Sequence, residues 1–160
     1  MTPSISGSRL PLKSRSLLPI AALLLLCACS AERTPPEEAL RQWVAAAELA
    51  AEEKDRSALL DMISPDYVDA RGNDRPAIDR LLRIWFLRQN TIALLTKIDS
   101  IEVYNDTAAR LQLTVGMAAT NNNVLGLSAD AYRFELDMVL SDDDWVLIAA
   151  RWGEIGGELE

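Results

Sequence analysis

Histidine is absent from the 160 residues, and the only two cysteines both lie before residue 30. The first absence removes the commonest general base, the commonest metal ligand and every Ser-His or Cys-His nucleophile arrangement. Basic side chains are scarce as well: 16 Lys and Arg stand against 24 Asp and Glu, a net charge of −8. Binding nucleic-acid phosphates takes a basic surface, so no nucleic-acid partner is expected. Gly-rich phosphate loops, catalytic carboxylate pairs at fixed spacing and metal-ligand clusters are also missing, so neither a cofactor nor a metal is expected. What is present, 49% hydrophobic and 25% charged residues, is the composition of one globular domain.

Residues 1–28 read as an address. Arg9, Lys13 and Arg15 precede the apolar run Leu17 to Leu26, and no acid interrupts them. A basic stretch followed by about ten apolar residues is a secretory signal, since a spanning helix needs roughly twenty. Leu26-Cys27-Ala28-Cys29 resembles a bacterial lipobox. The resemblance implies that Cys29 becomes the first mature residue and carries diacylglyceryl and N-acyl groups such as palmitate. Several acyl chains together make an anchor effectively permanent where one does not. Ser30 in place of Asp implies sorting to the outer membrane, on its periplasmic face. Cleavage before Cys29 leaves 13 Lys and Arg against 24 acids, a charge of −11. An anionic bilayer repels such a chain, so the domain is expected to stand off the membrane, held by lipid. Residues 29–36 form a short tether and residues 37–160 the folded domain.

Thr34-Pro35-Pro36-Glu37 reads as a helix start, with Thr34 as cap and Glu37 closing a capping box. The stripe Leu40, Trp43, Val44, Ala47, Ala50 and Ala51 continues at helical spacing to about Lys54. Asp55 caps a second, shorter helix that stops at Ser64-Pro65-Asp66. A short extended segment, Tyr67-Val68-Asp69-Ala70, follows. A third helix starts near Asp74-Arg75-Pro76 and runs past Trp85. Its apolar arc is wide, so it is either sandwiched on two sides or turned toward a partner or ligand.

From Thr91 the period shortens to two. Ile101 and Val103, then Ala109 to Met117, then Tyr132 to Leu140 alternate apolar with polar, with turns at Asn105-Asp106 and Ser141 to Asp144. Asn121 to Ser128 reads as a loop. The last strand, Trp145 to Trp152, has Val146, Ile148, Ala150 and Trp152 on one face and Trp145, Leu147 and Ala149 on the other, which predicts that both faces are covered. Helices followed by an antiparallel meander make an α+β domain with helices on one sheet face.

This order, with Ser64-Pro65-Asp66-Tyr67, the segment Val68 to Gly72, the helix at Pro76-Ala77-Ile78 and the strand Trp145-Val146-Leu147-Ile148, resembles the nuclear transport factor 2-like superfamily, which includes ketosteroid isomerases and related cyclases and dehydratases. The resemblance implies a cone-shaped, curved sheet around a long helix, a cavity at its wide end, and frequent dimers through the outer sheet face. By the same resemblance Asp69 is the position most like the isomerase base, with Tyr67, Tyr104 or Tyr132 left as possible oxyanion partners, none of them matching the family's motif. Trp43, Tyr67, Trp85, Phe134 and Trp152 are candidates to line an apolar pocket, although aromatics at core spacing also fit a filled core. The arginines of the third helix and of the strands are expected to pair with the surplus acids, and Asp142-Asp143-Asp144 is expected to be a solvated hairpin tip. The functional expectation is a lipid-anchored, non-catalytic binding or assembly module of the cell envelope. It would hold a small apolar ligand, or bury a face against a second copy or an envelope protein. The alternative is a small isomerase or dehydratase with Asp69 as base.

Overall fold

The computed structural model describes residues 34–121 and 127–160, so the lipobox around Cys29 lies outside the described residues. Thr34–Glu160 is a compact unit of its own. Among the described residues the hydrophobic core centres on Leu40, Leu111 and Met138.

Three helices come first: α1 (Pro36–Glu52), α2 (Arg56–Asp61) and α3 (Arg75–Arg88). Helix α1 starts differently from the expectation. Its N-cap is Pro35, and no side chain caps it, so the Thr34-Glu37 capping box does not form. Pro36 occupies a first-turn position where its missing N–H costs nothing, and Glu37 and Glu38 complement the helix dipole instead. The other two helices start as read: Asp55 accepts from the Ala58 N–H and Asp74 from the Ala77 N–H, at 3.0 and 2.8 Å. Helix α1 is capped by Glu53, and Lys54 just beyond it takes a left-handed conformation at φ 58°. Its ammonium donates to the carbonyls of Gln89 and Asn90, which ties the end of α1 to the start of the sheet.

The sheet is a four-stranded antiparallel meander, β1 (Gln89–Tyr104), β2 (Ala108–Asn121), β3 (Leu127–Ser141) and β4 (Asp144–Glu154), in the order β1-β2-β3-β4. Of the segment read as the loop Asn121 to Ser128, Asn121 ends β2 and Leu127 and Ser128 begin β3, while 122–126 lie outside the described residues. The β3–β4 hairpin turns on Asp142 and Asp143 at φ 51° and 70°, the geometry of a two-residue turn matched to sheet twist.

Two bulges decide which side chains face inward. Asp99 has no partner between the pairs Ile98–Leu113 and Ser100–Gln112, and Ile148 is skipped between Met138–Leu147 and Asp137–Ala149. Each inserts one residue and reverses the alternation beyond it. In β1 the inner face therefore passes from Ile92, Leu94, Thr96 and Ile98 to Ile101 and Val103. In β4 it passes from Trp145 and Leu147 to Ala150 and Trp152. The expectation of two separate apolar faces on β4 is thus corrected. The bulge gathers Trp145, Leu147, Ala150 and Trp152 opposite Leu140, Met138, Leu136 and Phe134 of β3. Arg151 and Ala149 turn outward, opposite Glu135 and Asp137.

Both sheet edges are partly covered. On β1, the N–H groups of Leu94 and Thr96 donate to the carboxylates of Glu52 and Glu48 on α1, at 2.7 and 3.2 Å. On β4, Ser64, Val68 and Ala70 donate to the carbonyls of Leu147, Ile148 and Ala150, and the Leu147 N–H donates to Met62. Farther along, Trp152 and Glu160 exchange both backbone hydrogen bonds. Gly153 permits this return of the chain, because a Cβ there would lie 2.2 Å from the Glu158 carbonyl oxygen.

Candidate functional site

One end of the inner sheet face is filled. Leu40 and Val44 of α1 pack on Leu111, Met138, Trp145 and Ala150, and Leu40, Leu111 and Met138 are fully buried. At the other end the same alternation runs on, but the facing side chains stand apart and leave a cavity of about 350 Å³. This is within the range of small-molecule sites, at its small end.

Each element contributes to the cavity wall. Helix α1 supplies Trp43, Val44, Ala47, Glu48 and Ala51; the α2 region supplies Leu59 and Ile63; α3 supplies Ile78, Leu82 and Trp85. From the sheet come Leu94 and Thr96 of β1, Leu113, Val115 and Met117 of β2, Tyr132, Phe134 and Leu136 of β3, and Leu147 of β4. The small side chains of Ala47 and Ala51 help to create the space. The cavity lies where two alanines of a helix face a sheet, not where bulky residues meet.

The wall is almost wholly apolar. Its one ionisable carboxylate, Glu48, already accepts from the Thr96 N–H. The Tyr132 hydroxyl makes no hydrogen bond to any described residue, and its ring stands 6.5 Å from that of Phe134. Trp43 Nε1 is buried without a hydrogen-bond partner among the described residues. Such a wall grips apolar surface; with Glu48 engaged, the Tyr132 hydroxyl and Trp43 Nε1 are the polar groups it leaves to face a bound molecule.

Of the aromatic candidates, Trp43, Trp85 and Phe134 meet at this cavity, while Tyr67 and Trp152 do not line it. Tyr67 is buried in the core, where burial, and secondarily the Asp69 carboxylate, push its phenol far above the ordinary range and keep it protonated. Trp152 stacks outside Phe134, with centroids 6.4 Å apart, and carries the Arg71 guanidinium 4.6 Å over its ring.

Asp69 is also not among the residues that line the cavity. Its Oδ1 accepts from the N–H groups of Arg71 and Asn73, and its Oδ2 from the Asn73 amide, all at 2.8–2.9 Å. The carboxylate thereby closes the turn 69–73, in which Gly72 supplies a φ of +79°. Tyr104 is exposed on the outer sheet face and donates to Glu102, so it too is remote from the cavity.

Sequence reasoning passed over Ala47, Ala51, Leu82, Val115 and Met117 as cavity residues. Their spacing is that of any core stripe, and a missing volume leaves no mark on periodicity.

No protein-family model and no curated protein matches the chain. Solved structures do. A candidate scytalone dehydratase of Novosphingobium aromaticivorans superposes with a TM-score of 0.69 at 12% identity, covering 74% of this chain and 83% of its own. A nuclear transport factor 2-like superfamily protein of Salmonella enterica gives 0.63 at 14% identity, covering 74% and 90%. A ketosteroid isomerase-like protein of Erwinia carotovora gives 0.61 at 13% identity, covering 79% and 98%. At such identities the likeness is one of fold. Three helices on a four-stranded antiparallel sheet, enclosing a cavity between helices and strands, give this chain the nuclear transport factor 2-like fold.

Proposed function

We propose that this protein is a lipid-anchored binding module of the bacterial outer membrane, facing the periplasm, that holds one small apolar molecule in its cavity without transforming it. The observation that carries the reading is the cavity wall, where nearly every lining side chain is apolar and the single carboxylate is engaged by the backbone of β1. Burial of apolar ligand surface contributes about 25 cal/mol per Å², enough for useful affinity without any charged contact. The anchoring half of the proposal rests on Leu26-Cys27-Ala28-Cys29 and the basic, then apolar, stretch before it.

The names of two structural neighbours favour the rival reading, a dehydratase or isomerase. Its chosen base, Asp69, faces a turn and not the cavity, and no histidine is available to replace it. Native mass spectrometry of residues 30–160 recovered from the periplasm tests the binding reading. A retained apolar molecule of defined mass, lost on Ala47→Phe, is the expected result. A wild-type protein that carries nothing, binds no apolar probe and turns over a ketosteroid would overturn it.

A further inference from the structure

Helix α3 shows its unusual character on the side away from the cavity. Ile78, Leu82 and Trp85 face the pocket, yet Leu81, Ile84 and Leu87 are 50%, 49% and 75% exposed. These are three of the eight large apolar side chains exposed among the described residues, and they sit on one helix. Between them on the same outward arc stand Arg80, Arg83 and Arg88, all exposed. Arg80 and Arg88 have no ion-pair partner among the described residues, and Arg83 shares Asp79 with Arg56. Asp79 is the helix's only acid against four arginines, in a segment, residues 34–160, where 23 acids outnumber 12 bases. The charge of the domain is therefore strongly uneven, and its apolar exposure coincides with its basic stretch.

Apolar side chains interleaved with arginines on one exposed helical arc suit the interface of an anionic bilayer: the aliphatic groups enter the headgroup boundary and the guanidinium groups meet phosphates. We infer that α3 is a membrane-docking face, which seats the domain on anionic phospholipid with Leu81, Ile84 and Leu87 inserted at the surface. This overrides, at one face, the repulsion expected from the net charge, because the arc itself is positive and the acids lie elsewhere. It places the cavity one helix diameter, about 10 Å, from the lipid. The inference stands independently of what the cavity holds.

Residues 30–160, which lack the acylated cysteine, are mixed with vesicles of phosphatidylcholine alone or with phosphatidylglycerol added, and sedimented. Binding to the anionic vesicles is expected to exceed binding to the neutral ones by at least about tenfold and to fall with salt. Arg80→Glu with Arg88→Glu, and separately Leu87→Ser, are expected to abolish it with circular dichroism unchanged, since these side chains are exposed. Equal or absent binding to both vesicle types overturns the inference. So does a concentration-dependent dimer that Leu87→Ser dissolves, which would assign the face to a second copy of the chain.

Discussion

The two ends of the inner sheet face are built from the same strands, with the same alternation and the same residue types, and they differ in one respect. At one end Leu40, Leu111 and Met138 interlock with no exposure; at the other Val115, Met117, Tyr132 and Phe134 face Ala47, Ala51 and Leu82 across empty space. Interiors normally pack as densely as organic crystals, so a hollow of this size forgoes dispersion contacts throughout its wall. The filled end holds the fold together, and the hollow end is where stability has been given up for room. Binding of an apolar molecule would restore the missing contacts.

Truncations should separate the two ends most sharply. Leu111→Ala and Met138→Ala remove fully buried volume and are expected to cost about 2–5 kcal/mol in urea unfolding. Leu82→Ala and Val115→Ala, which enlarge an existing hollow, are expected to cost less than half as much. Similar losses at both ends would mean that the cavity collapses around its own wall in solution.

Asp69→Asn comes next. It places an amide where Oδ2 accepts from the Asn73 side chain, so two donors confront each other in the buried turn, with an expected loss of about 1–3 kcal/mol. A fully stable variant would contradict the structural role assigned to this carboxylate.

Filling the hollow should cost little. Ala47→Phe projects into the cavity, so its expected change in stability is within about 1 kcal/mol, far from the usual penalty of overpacking a dense core. A loss as large as that of Leu111→Ala would show that the space is already occupied.

The smallest effect belongs to the outer face. Lys97, by its hydrogen bond, and then Thr114 hold the exposed Asp99 carboxyl at the β1 bulge below the usual carboxylate range. A lowered folded-state value stabilises the fold above the unfolded value, about 3.9, and the contribution disappears as pH falls through the lower folded value. Asp99→Asn is therefore expected to differ slightly from wild type at neutral pH and to converge with it as the pH falls through the lowered folded-state value. A difference that instead grows in acid would reverse the assignment.

Much of this was readable in the amino-acid order. Asp55 and Asp74 announce their helices, Asp142-Asp143 its hairpin, and the alternation from Ala109 to Met117 its strand. The bulges were not readable. Asp99 and Ile148 belong to runs that continue their pattern locally, and only pairing with the neighbouring strand shows that a residue is skipped. This is why β4 looked apolar on two faces when its large side chains share one. The cavity was half readable: Trp43, Trp85 and Phe134 were apparent as aromatics, but whether aromatics fill a space or surround one depends on distances between elements. For Asp69, chain order carried no sign that its carboxylate accepts from the N–H groups of Arg71 and Asn73.

The central claim, a hollow that binds apolar molecules, is tested most directly by titrating residues 30–160 with the fluorophore N-phenylnaphthylamine, beside the Ala47→Phe variant. A saturable rise in emission at one site per chain, lost in the variant while its unfolding midpoint is kept, is the predicted result. No saturable binding by the wild type, or equal binding by both proteins, would contradict it.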